Sequence, residues 1–267
     1  RRSGCRNSLR KLHDSLELVT ASLYLCVIVA ASLVLLGSCV VLLVAVMTRS
    51  ARRGSSNSTT NHNNGGPGKR RGPANVGPLQ VQIANQNTEP LDQLIEPSLC
   101  RFECDELVLS IRRCWASDAE DELRQFVFGL TELNMRALYE QSNWGWNDSQ
   151  KRKELTGKTA QYLIVSDDSG ENMGFVHFRF DMDSGIPVVY CYEIQLVEAV
   201  QRRGLGAHLM DILQKLAERF KMKKVILTVF KHNLGALSFY KKKLSFRQDA
   251  TDPIEADYTI LSKKVET

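Results

Sequence analysis

The chain has 267 residues, 43% of them hydrophobic and 24% charged, with a formal net charge of +5, enough for one ordinary domain plus extras. Much of the basic excess sits in Arg1, Arg2, Arg6, Arg10 and Lys11 and in Arg52, Arg53, Lys69, Arg70 and Arg71, outside any catalytic domain, so composition gives no ground for a direct nucleic-acid partner. Seven cysteines, with Cys26 and Cys39 in an apolar run and a Cys100–Cys104 pair lacking a second Cys/His pair, fit reduced thiols rather than a disulfide framework, and no metal site is expected.

Residues 1–17 form a basic segment. From Leu18 to Thr48 no residue is charged, and the run exceeds the roughly 20 residues needed to cross a hydrocarbon core of about 30 Å, so 18–48 is a predicted transmembrane helix. Basic residues flank both of its ends and do not orient it. Residues 49–90 hold the stretch SSNSTTNHNNGGPGKRRGP, which buries too little apolar surface to offset ordering entropy, and are expected to be a disordered linker. The folded domain is assigned to 91–267.

Within that domain, Ser117-Asp118-Ala119-Glu120 has the spacing of a capping box, ahead of a helix whose apolar face is Leu123, Phe126, Val127, Leu130, Leu133 and Leu138. Three strand-like runs follow, 162–165, 173–180 and 188–196, separated by Asp/Ser/Gly turns, which predicts an antiparallel meander. A helix with Leu205, Leu209, Ile212, Leu213 and Leu216 inward, a strand over 224–230, a helix over 234–242 and extended C-terminal segments complete an α+β order. Its late crossover implies a parallel strand pair.

The most informative motif is Gln201-Arg202-Arg203-Gly204-Leu205-Gly206-Ala207, set between an apolar strand and an amphipathic helix. Glycines at a helix N-terminus let a pyrophosphate approach outward-pointing amides, and the helix dipole favours the anion. The segment resembles the acetyl-CoA signature of the GNAT superfamily. Five further strings, at 139–142, 144–146, 177–181, 190–193 and 227–233 (YEQS, WGW, HFRFD, YCYE and LTVFKHN), resemble the NatD family of histone N-terminal acetyltransferases in the same order over residues 100–264. That resemblance implies a GNAT fold, a mixed central sheet with flanking helices. The implied activity is acetyl transfer from acetyl-CoA to the N-terminal serine amine of histones H4 and 2A, whose tails begin Ser-Gly-Arg-Gly.

It also implies roles for residues. Glu193 and Tyr192 would be catalytic, with Glu193 as general base. Ile194, Gln195 and Leu196 would line the pantetheine arm, Arg202, Arg203, Gly204, Leu205, Gly206 and Ala207 the pyrophosphate, and Thr228 and Asn233 the rest of the coenzyme. Tyr139, Asp181, Met182, Asp183, Tyr192, Thr251 and Tyr258 would surround the acceptor peptide, with Trp144 and Trp146 as packing anchors. Strand alternation puts Tyr190 and Tyr192 on one face and Cys191 and Glu193 on the other unless a bulge intervenes, and a bulge is what the resemblance implies there.

The family's proteins are soluble enzymes of cytoplasm and nucleus, so the apolar segment is either a genuine tether, with the catalytic domain facing the cytosol, or foreign to the enzyme; a monomer is expected. Asp183 and Thr251 depart from the family's glutamate and serine, which bears on the acceptor more than on the reaction. Two alternatives therefore stand beside the leading one: a membrane-tethered acetyltransferase of other N-termini or lysines, and an inactive adaptor that binds acetyl-CoA.

Overall fold

Runs of β-branched and aromatic residues between turn-forming clusters dictate most of the sheet. In the computed structural model, which describes residues 44–45 and 76–266, strands β1 (Arg101–Cys104), β2 (Leu107–Trp115), β3 (Gln161–Asp167), β4 (Asn172–Asp183) and β5 (Ile186–Leu196) form an antiparallel meander. Strand β6 (Lys224–Phe230) lies parallel to β5, as the helical crossover requires. Strand β8 (Tyr258–Lys264) runs antiparallel to β6, with the two-residue β7 (Arg247–Gln248) beyond it. This is the expected mixed α+β sheet. Not anticipated is the hairpin of β1 and β2, where Leu109 and Ile111 face the core while Ser110 and Arg112 face out, an alternation that Arg112 and Arg113 obscure in the sequence.

Helix α1 (Val76–Gln86) corrects the expected linker: its last turns are ordered, with Ala84 fully buried and Asn85 Nδ2 donating to the Phe180 carbonyl at 2.9 Å. Arg113 then fixes the next residues, donating to the Asn87 carbonyl at 2.9 Å, to Asn87 Oδ1 at 2.9 Å and to the Glu89 carbonyl at 3.0 Å. Burial depresses its guanidinium to about 10. The polar average of the whole segment hid Val81 and Ala84, which pack on the core, and an arginine some twenty-five residues away supplies the anchor. A short helix, α2 (Leu91–Leu94), follows with Leu91 and Leu94 buried.

Helix α3 (Asp121–Glu140) begins three residues later than a capping box at Ser117 would set it, and that box does not form. Glu120 takes the N-cap position with no side-chain cap, and Ser117 Oγ is turned to Asp118 Oδ1 at 2.8 Å. Its buried face runs through Leu123, Val127, Leu130, Met135 and Tyr139, which leaves Leu133 80% exposed and off the stripe. Helix α4 (Asp148–Leu155), capped by Asn147, follows. In helix α5 (Leu205–Arg219) all five leucine and isoleucine positions read from the sequence are fully buried. Helix α6 (Leu234–Ser238) runs into one π-helical turn, Phe239–Lys243.

The segment 18–48 lies outside the described residues except for Val44–Ala45, a two-residue strand paired antiparallel with Ile194 and Glu193. Among the described residues no helix is long and apolar enough to cross a membrane.

One close approach governs where β5 lies against β4. A Cβ at Gly174 would come within 2.5 Å of Leu196 Cδ2 and 2.7 Å of the Gln195 carbonyl oxygen. Backbone cannot yield as a flexible side chain can, so Gly174→Ala is expected to cost about 1–3 kcal/mol, the usual penalty of overpacking, read as a lowered midpoint in chemical denaturation with an unchanged slope.

Candidate active site

Register places the centre of the site. His177 pairs with Glu193, whereas the next residue, Phe178, pairs with Cys191, so Tyr192 is an extra residue in β5. This bulge overrides simple alternation and brings Tyr190, Tyr192 and Glu193 to one face, with Cys191 opposite. The Tyr192 ring stacks on His177 with centroids 4.8 Å apart and lies beneath the Arg179 guanidinium at 4.4 Å.

Glu193 is fully buried. Its Oε2 accepts from Gln195 Nε2 at 2.8 Å, and Gln195 Oε1 in turn accepts from Asn134 Nδ2 at 3.1 Å. Its Oε1 accepts from Lys151 Nζ at 3.0 Å. Lys151 also donates to Glu154 Oε1 and to the Tyr139 hydroxyl, both at 2.6 Å. Two carboxylates against one ammonium in a sealed space leave an excess of negative charge. Burial pushes the Glu193 carboxyl up to about 7; Lys151 opposes that rise and Glu154 adds to it. Burial works against the Lys151 ammonium, yet Glu193, Tyr139 and Glu154 hold its pKa well above the ordinary lysine value. Burial likewise raises the Tyr139 phenol. His177 is held neutral by burial, with Arg179 and Lys151 adding to the effect.

The stretch of β5 that carries Glu193 is not paired with β6. Strands β5 and β6 pair only from Val188–Lys224 to Cys191–Leu227, although β5 continues to Leu196 and β6 to Phe230. Past Cys191 the strands part, and Val44–Ala45 is the backbone paired with Glu193 and Ile194. Gln201 Nε2 donates to the Leu196 carbonyl at 2.9 Å and ties this edge to the glycine turn. Gly204, at φ 97°, caps α5 in a left-handed conformation that suits glycine, and a Cβ there would meet only Phe102 Cζ at 4.0 Å. The N–H groups of Leu205 and Gly206, in the first turn, have no carbonyl within the helix to bond. With exposed Arg202 and Arg203 beside them, they form a turn that fits a pyrophosphate.

Of the other expected residues, Thr228 is buried and shares a 2.9 Å hydrogen bond with the Tyr190 hydroxyl. Asn233 caps α6, accepting from the Ala236 N–H at 3.1 Å. Tyr139 meets Trp146 and Phe230 edge-on at 5.4 and 5.2 Å, and Trp144 bridges to Tyr258 at 4.6 Å. Trp144 and Trp146 both pack against the Tyr139 ring. Asp181 is exposed near the turn at the end of β4. Met182, Asp183 and Thr251 are not brought to Glu193. Asp183 is buried beside Lys224 Nζ at 3.4 Å, Lys224 reaches Asp249 at 2.7 Å, and Thr251 donates from its N–H and hydroxyl to Asp249.

Four residues here were not anticipated: Lys151, Glu154, Asn134 and Tyr240. The i,i+3 spacing of Lys151 and Glu154 was their one signal, buried in the polar string DSQKRKEL. Tyr240 is fully buried with no hydrogen-bond partner for its hydroxyl among the described residues, and it lies close enough to Cys191 and Glu193 for both to raise its phenol further after burial.

Residues 127–246 match the sequence model of the Acetyltransferase (GNAT) family. Similar solved structures include a GNAT-family acetyltransferase from Listeria monocytogenes 4b F2365, 13% identical over 61% of this chain and 99% of that one, with a TM-score of 0.46. Others are Arabidopsis thaliana NAA60 in complex with a bisubstrate analogue (15% identity, 58% and 98% coverage, TM-score 0.42) and Ard1 from Thermoplasma volcanium (18%, 60% and 99%, 0.43).

The Lys151 cluster sets a stability expectation. Tyr139→Phe keeps the ring contacts and removes one acceptor from a buried ammonium, at a cost of about 1–3 kcal/mol. Tyr139→Ala also opens a cavity among Trp146 and Phe230, at about 3–5 kcal/mol. Urea denaturation of the two variants checks the order.

Proposed function

We propose that the GNAT acetyltransferase domain of this chain transfers acetyl from acetyl-CoA to the free N-terminal serine amine of chains that begin Ser-Gly-Arg, histones H4 and 2A among them. The observation that carries the reading is the buried Glu193 carboxylate, raised to about 7, at the bulge in the stretch of β5 that β6 leaves unpaired. A general base works best when its pKa lies near the working pH. The five NatD-like strings supply the substrate class.

Acetyl-CoA supplies the activated acetyl group as a thioester. The Ile194–Leu196 backbone would hold the pantetheine arm by strand-like pairing, in competition with Val44–Ala45, while the α5 N-terminus and Arg202–Arg203 hold the pyrophosphate. Glu193 takes the proton from the acceptor nitrogen, directly or through one water. The Tyr240 hydroxyl, with its proton uncommitted to any other described residue, is available to a departing thiolate. Tyr139, Trp144 and Tyr258 would wall the first residue and favour a small one.

The third residue of the acceptor has a partner on the same side. Asp181 pairs with Val188, and Val188 lies five residues before Glu193 on β5, a separation of about 16 Å along a strand. An extended peptide with its amine at Glu193 carries its third residue about 7 Å along that path, and an arginine side chain spans much of the remainder. Asp181 accordingly takes the arginine, while Asp183, already engaged with Lys224, shapes the turn.

The test is turnover of acetyl-CoA by the full chain on the free-amine peptide SGRGKGGK and on the same peptide with a blocked N-terminus. Transfer to the free amine alone is expected; transfer to both would indicate lysine acetylation, and coenzyme binding without any transfer would indicate an adaptor. Glu193→Gln is expected to lower kcat by about 10² or more, and a loss below about tenfold would remove Glu193 from the role. Glu193 must be ionised to act, so kcat/KM is expected to rise through pH about 7 and level off above it; a limb near the ordinary carboxylate range would contradict this.

A further inference from the structure

A base sealed from solvent must pass its proton on. Acetyl transfer from a thioester to an ammonium forms a C–N bond, breaks a C–S bond and removes two protons from nitrogen. One ends on the thiol, and the other must leave the protein. Glu193 has no exposed surface. Its Oε2 faces the Gln195 amide, which titrates in neither direction at neutral pH. Its Oε1 faces Lys151 Nζ at 3.0 Å, and Lys151 faces Glu154 Oε1 at 2.6 Å. Buried Lys151 and Glu154, with Tyr139 and Trp146, line a cavity of about 20 Å³ whose remaining wall is exposed Gly145, Asn147 and Gln150. That is room for one water.

We propose that Lys151 and Glu154 form the proton exit of Glu193. This rests on the reading of Glu193 as the base. In the step, the Lys151 ammonium gives one proton to the Glu154 carboxylate as it receives one from protonated Glu193. Lys151 ends as it began, Glu193 is again ionised, and Glu154 releases the proton to water in the cavity. Lys151 is a relay and positioning residue, because it touches the base and not the substrate. Around it stand Tyr139 from α3, Glu154 from its own helix and Glu193 from β5. Around Glu193 stand Lys151 and Glu154, neutral His177 on β4, Gln195 and Cys191 on its own strand, and Tyr240.

A cluster that merely pins α4 to the sheet predicts different kinetics. Glu154→Gln keeps the side chain's volume and an oxygen for Lys151 but cannot take up a proton. The relay predicts a fall in kcat of about tenfold or more, with KM for SGRGKGGK and for acetyl-CoA unchanged and a larger solvent deuterium isotope effect on kcat. Removing the Glu154 charge also moves the acid limb of kcat/KM to lower pH, whereas Lys151→Met, which removes the opposing cation, moves it to higher pH. Should Lys151→Met not fold, Lys151→Arg carries the same test, since it keeps the charge and does not release its proton; kcat as low as in Glu154→Gln is expected. Wild-type kcat and isotope effect in Glu154→Gln would overturn the relay. If Glu193→Gln in parallel is inactive, the base reading survives that failure; if Glu193→Gln is also near wild type, the base reading has failed first.

Discussion

The ammonium of Lys151 is the interaction on which the site depends. A buried cation without partners costs several kcal/mol, and this one is offset by two carboxylates and a phenol drawn from α3, α4 and β5. Those three elements are thereby fixed to one another at one atom. The same arithmetic sets the chemistry, since one positive charge cannot fully hold two negative ones ionised in a dry space. Glu193, the more deeply buried carboxylate, carries the consequence as a pKa near neutrality.

Around that centre the fold supplies two further constraints. The bulge at Tyr192 turns Glu193 to the face of Tyr190 and Tyr192, and the parting of β5 from β6 beyond Cys191 leaves a backbone edge beside it. Gly174 holds β4 tight against Gln195 and Leu196, and Gln201 and Asn134 tether the Leu196 carbonyl to the glycine turn and to α3. Glu193, the backbone edge beside it and the glycine turn are parts of a single strand–turn–helix unit. A change at any one of them is felt at the others.

Much of this was legible in the sequence because it is local. The meander, the buried stripe of α5 and the glycine turn follow from periodicity and from Gly204 and Gly206, and Asn233 does cap its helix. The capping box at Ser117 failed because the helix begins at Asp121, with Glu120 rather than Ser117 at the N-cap. The ordering of residues 76–90 was missed because Asn85 and Asn87 gain their partners from β4 and β2. Lys151 and Glu154 were illegible for the same reason. On a strongly charged helix nothing local marks the two charges that point inward, and their partners, Tyr139 and Glu193, lie twelve and forty-two residues away.

The central claim is that burial and charge excess, rather than any ligand, poise Glu193. It is tested most directly by carbon-13 NMR titration of the glutamate side-chain carboxyls in the full chain, with Glu193→Gln to assign the resonance. The account predicts a Glu193 midpoint near 7, moved upward in Lys151→Met. A midpoint in the ordinary glutamate range of about 4, unmoved by Lys151→Met, would contradict it.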